Sequence, residues 1–138
     1  MVLVDTSVWS LALRRKEARL NDNQRSLKNA LSELVSFHNA KVIGPIRQEV
    51  LSGIRHRAQF LKIRGQLSAF ADVMLDSRDF EVAAELCNEC LEHGIAGSNV
   101  DFLICAVSIG RSWSIFTTDN DFERYAEVLP IRLFRPNA

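Results

Sequence analysis

The sequence predicts an α/β fold in three layers, a parallel sheet of about five strands with helices on both faces. Three observations carry that expectation. Short apolar runs occur at 2–4, 42–43, 73–75, 115–116 and 131–134, a length that suits buried strands. Longer stretches with apolar residues at three- and four-residue steps separate most of them. The 138 residues, 47% hydrophobic, match one domain over 1–138 that can bury a core without disulfides or a structural metal.

Each element has its own signal. Val2, Leu3 and Val4 form the first strand, and Asp5 follows directly. The first long helix is expected over about 23–38, where Leu27, Ala30, Leu31, Leu34 and Val35 make one stripe. After the second strand, Pro45 suits a first helical turn, and Ile46, Val50 and Ile54 continue as the next stripe. A third helix is expected over about 57–71, with Phe60, Leu61, Leu67 and Phe70 apolar and Gly65 weakening its middle. A fourth spans about 80–93 and a fifth about 99–109, with Gly94 and Gly97 between them and Gly110 after. No internal repeat, low-complexity tract or linker interrupts this pattern.

Lys plus Arg and Asp plus Glu both number 17, so any surface for nucleic acid must be local. The first residues place an acid after three apolar positions and lack a basic n-region, which does not read as a signal peptide. No apolar run approaches the roughly 18 residues of a membrane-spanning helix. Cys87-x-x-Cys90 and His93 have no second ligand pair at zinc-site spacing. The three cysteines therefore read as packed thiols, and the compartment as the cytoplasm.

Sheets of this kind bind ligands outside the carboxyl ends of their strands. Asp5 follows the first strand and Asp119 follows the run ending at Thr118, so both carboxylates are expected at one sheet edge. Asp101 lies in the first turn of a helix, where the helix dipole alone would explain an acid. Glu49 lies on the helix after Pro45, on a face that otherwise looks core-directed, with Gly53 leaving room beside it. Its plainer reading is a solvated helix surface. Four carboxylates crowded together repel one another unless a cation neutralises them, and a hard divalent ion is the natural partner. No histidine is placed to join them, which disfavours a nitrogen-rich zinc centre.

Set side by side, four stretches resemble the PIN domain family. Val2 to Trp9, with Asp5-Thr6-Ser7 at its centre, is similar to the family's opening, and Glu49-Val50-Leu51-Ser52-Gly53 to its second acidic motif. Asp101-Phe102-Leu103-Ile104-Cys105-Ala106 resembles the third, with a cysteine at 105 where small residues are common. Thr117-Thr118-Asp119-Asn120-Asp121-Phe122 resembles the fourth. A chain this short is most similar to the VapC-like toxins of type II toxin–antitoxin systems. That resemblance implies a Mg²⁺- or Mn²⁺-dependent endoribonuclease, a homodimer, held inactive by a cognate antitoxin protein. It implies catalytic and metal-binding roles for Asp5, Glu49, Asp101 and Asp119. It also implies attack by water on the phosphodiester, leaving 5′-phosphate and 3′-hydroxyl ends, on tRNA or another structured RNA. Asp121 either acts through a water at the metal or caps the helix containing Phe122 and Tyr125. Thr6, Ser7 and Thr117 either orient carboxylates or serve turns and caps.

RNA contacts are sought first at Arg55, His56, Arg57, Lys62 and Arg64, a stretch with no acid between Glu49 and Asp72. Arg14, Arg15 and Lys16 form a second basic cluster, and for both the alternative is a solvated face. Trp9 is either a stacking platform beside Asp5 or a core ring. Trp9, Leu11, Leu13, Val50, Leu51 and Ile54 are expected to place apolar surface near the acids, for an antitoxin segment, a dimer interface or the core.

Other readings fit less well. A phosphatase of the haloacid-dehalogenase type needs an aspartate at position 7, where Ser7 stands, and a receiver domain needs a lysine partner that Asp76 lacks. The turn after the first strand is not glycine-rich, as nucleotide-binding folds require. A non-catalytic PIN-like module binding RNA or protein would be signalled by loss of an acid, and a housekeeping PIN nuclease would stand outside any toxin–antitoxin pair.

Overall fold

The computed structural model describes residues 1–136. At its centre is strand β1 (Val2–Val4), with all three residues buried. Successive strand residues face opposite sides of a sheet, so their joint burial means that both faces are covered. Strand β2 (Ala40–Lys41) pairs with one edge of β1, with Val2 opposite Ala40. Strand β3 (Ser114–Phe116) pairs with the other, with Leu3 opposite Ile115. Both pairings are parallel and the order is β2-β1-β3.

Helix α1 (Thr6–Leu13), which no stripe in the sequence announced, follows β1 and leads through a 3-10 turn (Glu17–Arg19) to α2 (Asp22–Ser36). Asn21 and Gln24 close a capping box at the start of α2. Helix α3 (Gly44–Leu51) opens with Pro45 in its first turn, and Gly53, at φ +82°, turns the chain out of it. That backbone conformation, rather than room for Glu49, is what requires the glycine. Helix α4 (Arg57–Leu67) stops short of the expected 71. Helices α5 (Ser77–Glu92) and α6 (Asn99–Arg111) pack on each other, and the short α7 (Asp121–Ala126) follows β3. Asp76 is the cap of α5. Among the described residues, no helix is long and apolar enough to cross a membrane.

The sheet has three strands among the described residues, not five. The two outer runs are present only as isolated parallel bridges, Val42 with Asp72 and Ile115 with Leu133. On the first side, Val73 N–H reaches Val42 C=O at 3.0 Å. The following backbone is then engaged elsewhere, because Met74 C=O accepts from Arg111 and Asp76 N–H donates to Asp79 in the α5 capping box. On the second side, Ile115 bonds to Arg132 C=O and Phe134 N–H, at 2.8 and 2.7 Å. Pro130 precedes this segment and has no N–H to extend the ladder. The second strand also starts earlier than expected, at Ala40 rather than Val42.

Two arginines tie helices together. Arg111, at the end of α6, forks onto Asp79 of α5 at 2.9 and 3.2 Å. Arg47 of α3 bonds Asp72 and the carbonyls of Leu67 and Phe70, taking up backbone groups at the end of α4. The core joins the strands to Ile46, Val50, Ile63, Leu67, Phe102, Ile104 and Phe122. Cys90 and Cys105 are packed inside it, where burial pushes both thiols up from their ordinary value, and Cys87 is half-buried. Trp9 is also core, 2% exposed, with its ring edge-on to Phe70 at 5.1 Å. It offers no face to RNA. Leu11 and Val50 are likewise buried, so only Leu13, Leu51 and Ile54 of the expected apolar surface remain partly exposed.

Candidate metal centre

Asp5 stands between β1 and α1, and its N–H pairs with Phe116 C=O at 2.9 Å, so the strand ladder fixes its position. It occupies the cap position of α1, yet its side chain makes no capping bond. The carboxylate is instead held at Oδ2 by the hydroxyls of Ser7 at 2.9 Å and Thr117 at 2.8 Å. Ser7 Oγ in turn accepts from Thr118 N–H, and Thr117 Oγ1 from Asp119 N–H, both at 3.0 Å. Two hydroxyls thus lock the end of β1 to the end of β3, and Asp5 is 7% exposed.

Asp119 follows β3, and its Oδ1 accepts from Asp121 N–H at 2.9 Å, a local turn that aspartate side chains favour. Asp121 begins α7 without capping it, and its carboxylate lies 3.7 Å from Arg124. Asp101 sits in the first turn of α6, where its N–H donates to the cap hydroxyl of Ser98 at 3.1 Å. Its carboxylate Oδ2 accepts from Tyr125 hydroxyl at 2.6 Å. Burial, aided by the charges of Asp5 and Asp119, raises Asp101 above the ordinary carboxylate value, against the hydrogen bonds of Tyr125 and Ser98. Tyr125 is raised in turn by burial and by donating to Asp101. A negative charge at Asp101 is therefore uncomfortable without a cation.

Carboxylate oxygens of Asp101, Asp119 and Asp121 lie within 4.8 Å of one another, close enough to share one metal ion. Three hard oxygen donors in this spacing suit a hard divalent cation rather than a thiolate- or imidazole-seeking ion. Asp5 adjoins the group through its charge on Asp101. Glu49 is exposed on α3, as its plainer reading as a solvated helix surface has it, and is held by Thr6 hydroxyl at 2.8 Å. A common pattern runs through the four expected acids. Each has a carboxylate oxygen held by a protein donor.

Arg55, His56, Arg57, Lys62 and Arg64 are all exposed, before and along α4. Arg57 and Arg64 lie over the Phe60 ring at 5.4 and 5.9 Å, and among the described residues no bond joins this stretch to the acids. Arg14 reaches Ser52 C=O at 3.5 Å, while Arg15 and Lys16 are exposed. Sequence reasoning missed Tyr125 as the partner of Asp101, and Ser98 as its cap. It also missed why Gly97 is glycine: a Cβ there would lie 2.3 Å from the Tyr125 hydroxyl. The serine three residues before Asp101 was readable as a cap, but nothing local pairs positions 24 residues apart.

Solved structures that share this fold include the following three. FitAcB from Neisseria gonorrhoeae superposes with a TM-score of 0.77 at 19% identity, covering 99% of this chain and 98% of that one. VapBC2 from Rickettsia felis, bound to a DNA fragment from its promoter, gives 0.71 at 19% identity over 97% and 98%. FitAB bound to the IR36 DNA fragment gives 0.74 at 18% identity over 99% and 95%. No curated protein sequence matches the chain. The family description "PIN domain" matches residues 2–128, and with the strand-end acids and the superposed folds it leads to one conclusion: the chain belongs to the PIN domain family.

Proposed function

We propose that the protein is a divalent-metal-dependent endoribonuclease and the toxin of a toxin–antitoxin pair. The observation that carries the nuclease reading is the Asp101, Asp119 and Asp121 group, with a buried, hydroxyl-held Asp5 beside it. Asp5, Glu49, Asp101 and Asp119 would hold the ion, with Asp121 beside Asp101 and Asp119. A bound Mg²⁺ or Mn²⁺ would orient the scissile phosphate, ease ionisation of water and offset charge on the leaving oxygen.

The protein's own groups do the positioning. Ser7 and Thr117 fix Asp5, Tyr125 fixes Asp101, and the turn at Asp121 fixes Asp119. Each carboxylate thereby meets its ligand with little ordering left to do. In the overall reaction a water oxygen joins phosphorus, the bond from phosphorus to the 3′ oxygen breaks, and that oxygen takes a proton. The products are a 5′-phosphate and a 3′-hydroxyl.

The toxin reading is supported by similarity in fold to VapBC2, which is described on promoter DNA, and to FitAB, described on a DNA fragment. A partner protein encoded by a neighbouring short reading frame follows from it. Leu13, Leu51 and Ile54, partly buried against the core, are the apolar groups left for that partner among those expected. Brief induced expression of the chain alone should arrest growth and create new RNA 5′ ends. Co-expression of the neighbouring frame, or Asp5→Asn, should remove both effects. Harmless expression of active enzyme, with no inhibitory neighbour, would replace the toxin reading with a housekeeping nuclease.

A further inference from the structure

Between α1 and the start of α2 the surface opens into a cleft of about 350 Å³. That lies at the small end of the range for ligand sites, about 300–1,000 Å³. Its lining includes Ser7 and Thr118, the same residues that close the hydrogen-bonded corner around Asp5. Cleft and carboxylates therefore share a wall, and a phosphate held by the acids would put its neighbouring nucleotide at the cleft.

The remaining chemistry suits a base. Leu11 and Leu27 give the cleft an apolar side, and Arg15 and Asn23 give it a polar one. Several polar groups around them are committed. Asn21 and Gln24 are locked in the α2 capping box, Arg25 is paired with Glu17 and Asp22, and Lys28 is paired with Glu17. The side chains of Arg15 and Asn23 have no hydrogen bond or ion pair among the described residues. A guanidinium and a carboxamide are the groups that make paired hydrogen bonds to the N7 edges of guanine and adenine. Unpaired RNA bases are read on such edges while their faces rest on apolar or planar groups.

We infer that this cleft is a nucleotide subsite for an unpaired purine of the RNA, adjoining the scissile phosphate and read by Arg15 and Asn23. The inference rests on the nuclease reading of the acids, and it makes the cleft the source of sequence preference.

The test uses the purified chain and short single-stranded RNAs that differ only in the bases flanking the cut. Wild type should prefer a purine at one flanking position by about tenfold in kcat/KM, the scale of one paired base contact. Arg15→Ala combined with Asn23→Ala should erase the preference and raise KM. The same variant should keep the wild-type thermal shift with Mn²⁺, because the acids are untouched. An unchanged base preference and KM in the double variant would overturn the subsite. Unchanged RNA kinetics with weakened binding of the neighbouring-frame protein would also overturn it, and would make the cleft a protein-docking surface. If wild type cuts no RNA at all, the nuclease reading fails separately. Fluorescence anisotropy with labelled purine and pyrimidine pentanucleotides then decides the cleft. Purine-selective binding lost in the double variant supports it, and equal binding overturns it.

Discussion

Tyr125 and Gly97 determine how Asp101 presents its charge. The Tyr125 hydroxyl holds one carboxylate oxygen at 2.6 Å, and the ring leans so closely on Gly97 that an added Cβ would sit 2.8 Å from Cζ. Tyr125→Phe removes the anchor, and Gly97→Ala displaces it. Partners that orient metal ligands typically contribute 10–100-fold in affinity or activity, so each change is expected to weaken Mn²⁺ binding by about that factor. Calorimetric titration of the two single variants and the double one checks this. Because both act through one hydrogen bond, the double should fall well short of the sum of the singles. The acids were legible in the sequence because Asp5 and Asp119 end apolar strand runs and Asp101 opens a helix. Tyr125 was not, since its partner lies on another helix and no periodicity connects them. Asp121 was left between two roles that only α7 distinguishes: Asn120 holds the cap position, and Asp121 faces the other acids.

The helices were read from apolar stripes, Pro45 and flanking glycines, and α2 was found within a few residues of its expected bounds. Helix α2 has a capping box and the stripe that contains Leu31 and Leu34, whereas α1 buries Val8, Trp9 and Leu11 without a side-chain cap and gave no clear period. The outer strand expected at 73–75 failed for a tertiary reason, because arginine and cap hydrogen bonds take over backbone groups that a ladder would need, while the one at 131–134 follows Pro130, which has no N–H to extend its ladder. The Asp79–Arg111 fork is the clearest of these ties, with side chains 13% and 26% exposed. The Arg111 guanidinium holds Asp79 below the ordinary carboxylate range, with a smaller push upward from burial and further lowering by Asp76. A carboxylate with a depressed folded-state value adds stability above its unfolded value, and that stability is lost as pH falls through the folded one. Asp79→Asn should therefore cost about 1.5–3 kcal/mol at pH 7, the scale of a charged hydrogen bond. The gap between variant and wild type should narrow as pH falls below about 4, which urea unfolding at several pH values checks.

With equal numbers of acids and bases, the whole molecule has no net charge to draw RNA, so local cations must do it. The exposed stretch of Arg55, Arg57, Lys62 and Arg64 is the largest candidate, although Arg57 and Arg64 already rest on Phe60. Changing all four to alanine should weaken RNA binding and flatten its salt dependence by up to roughly three units of slope. An unchanged slope would leave the stretch as a solvated face. Hydrolysis of RNA by these acids with a divalent ion is checked by cleavage of end-labelled RNA. Wild type, Asp5→Asn and Asp101→Asn are compared in Mg²⁺ and in EDTA, with metal-free melting temperatures recorded for each. Wild type should cut in Mg²⁺ alone and leave 5′-phosphates, and both variants should lose at least about 100-fold in rate. Asp101→Asn should melt no lower than wild type without metal, since it removes a charge that burial and neighbouring acids disfavour. Full cleavage by either folded variant, or by wild type in EDTA, would contradict the account.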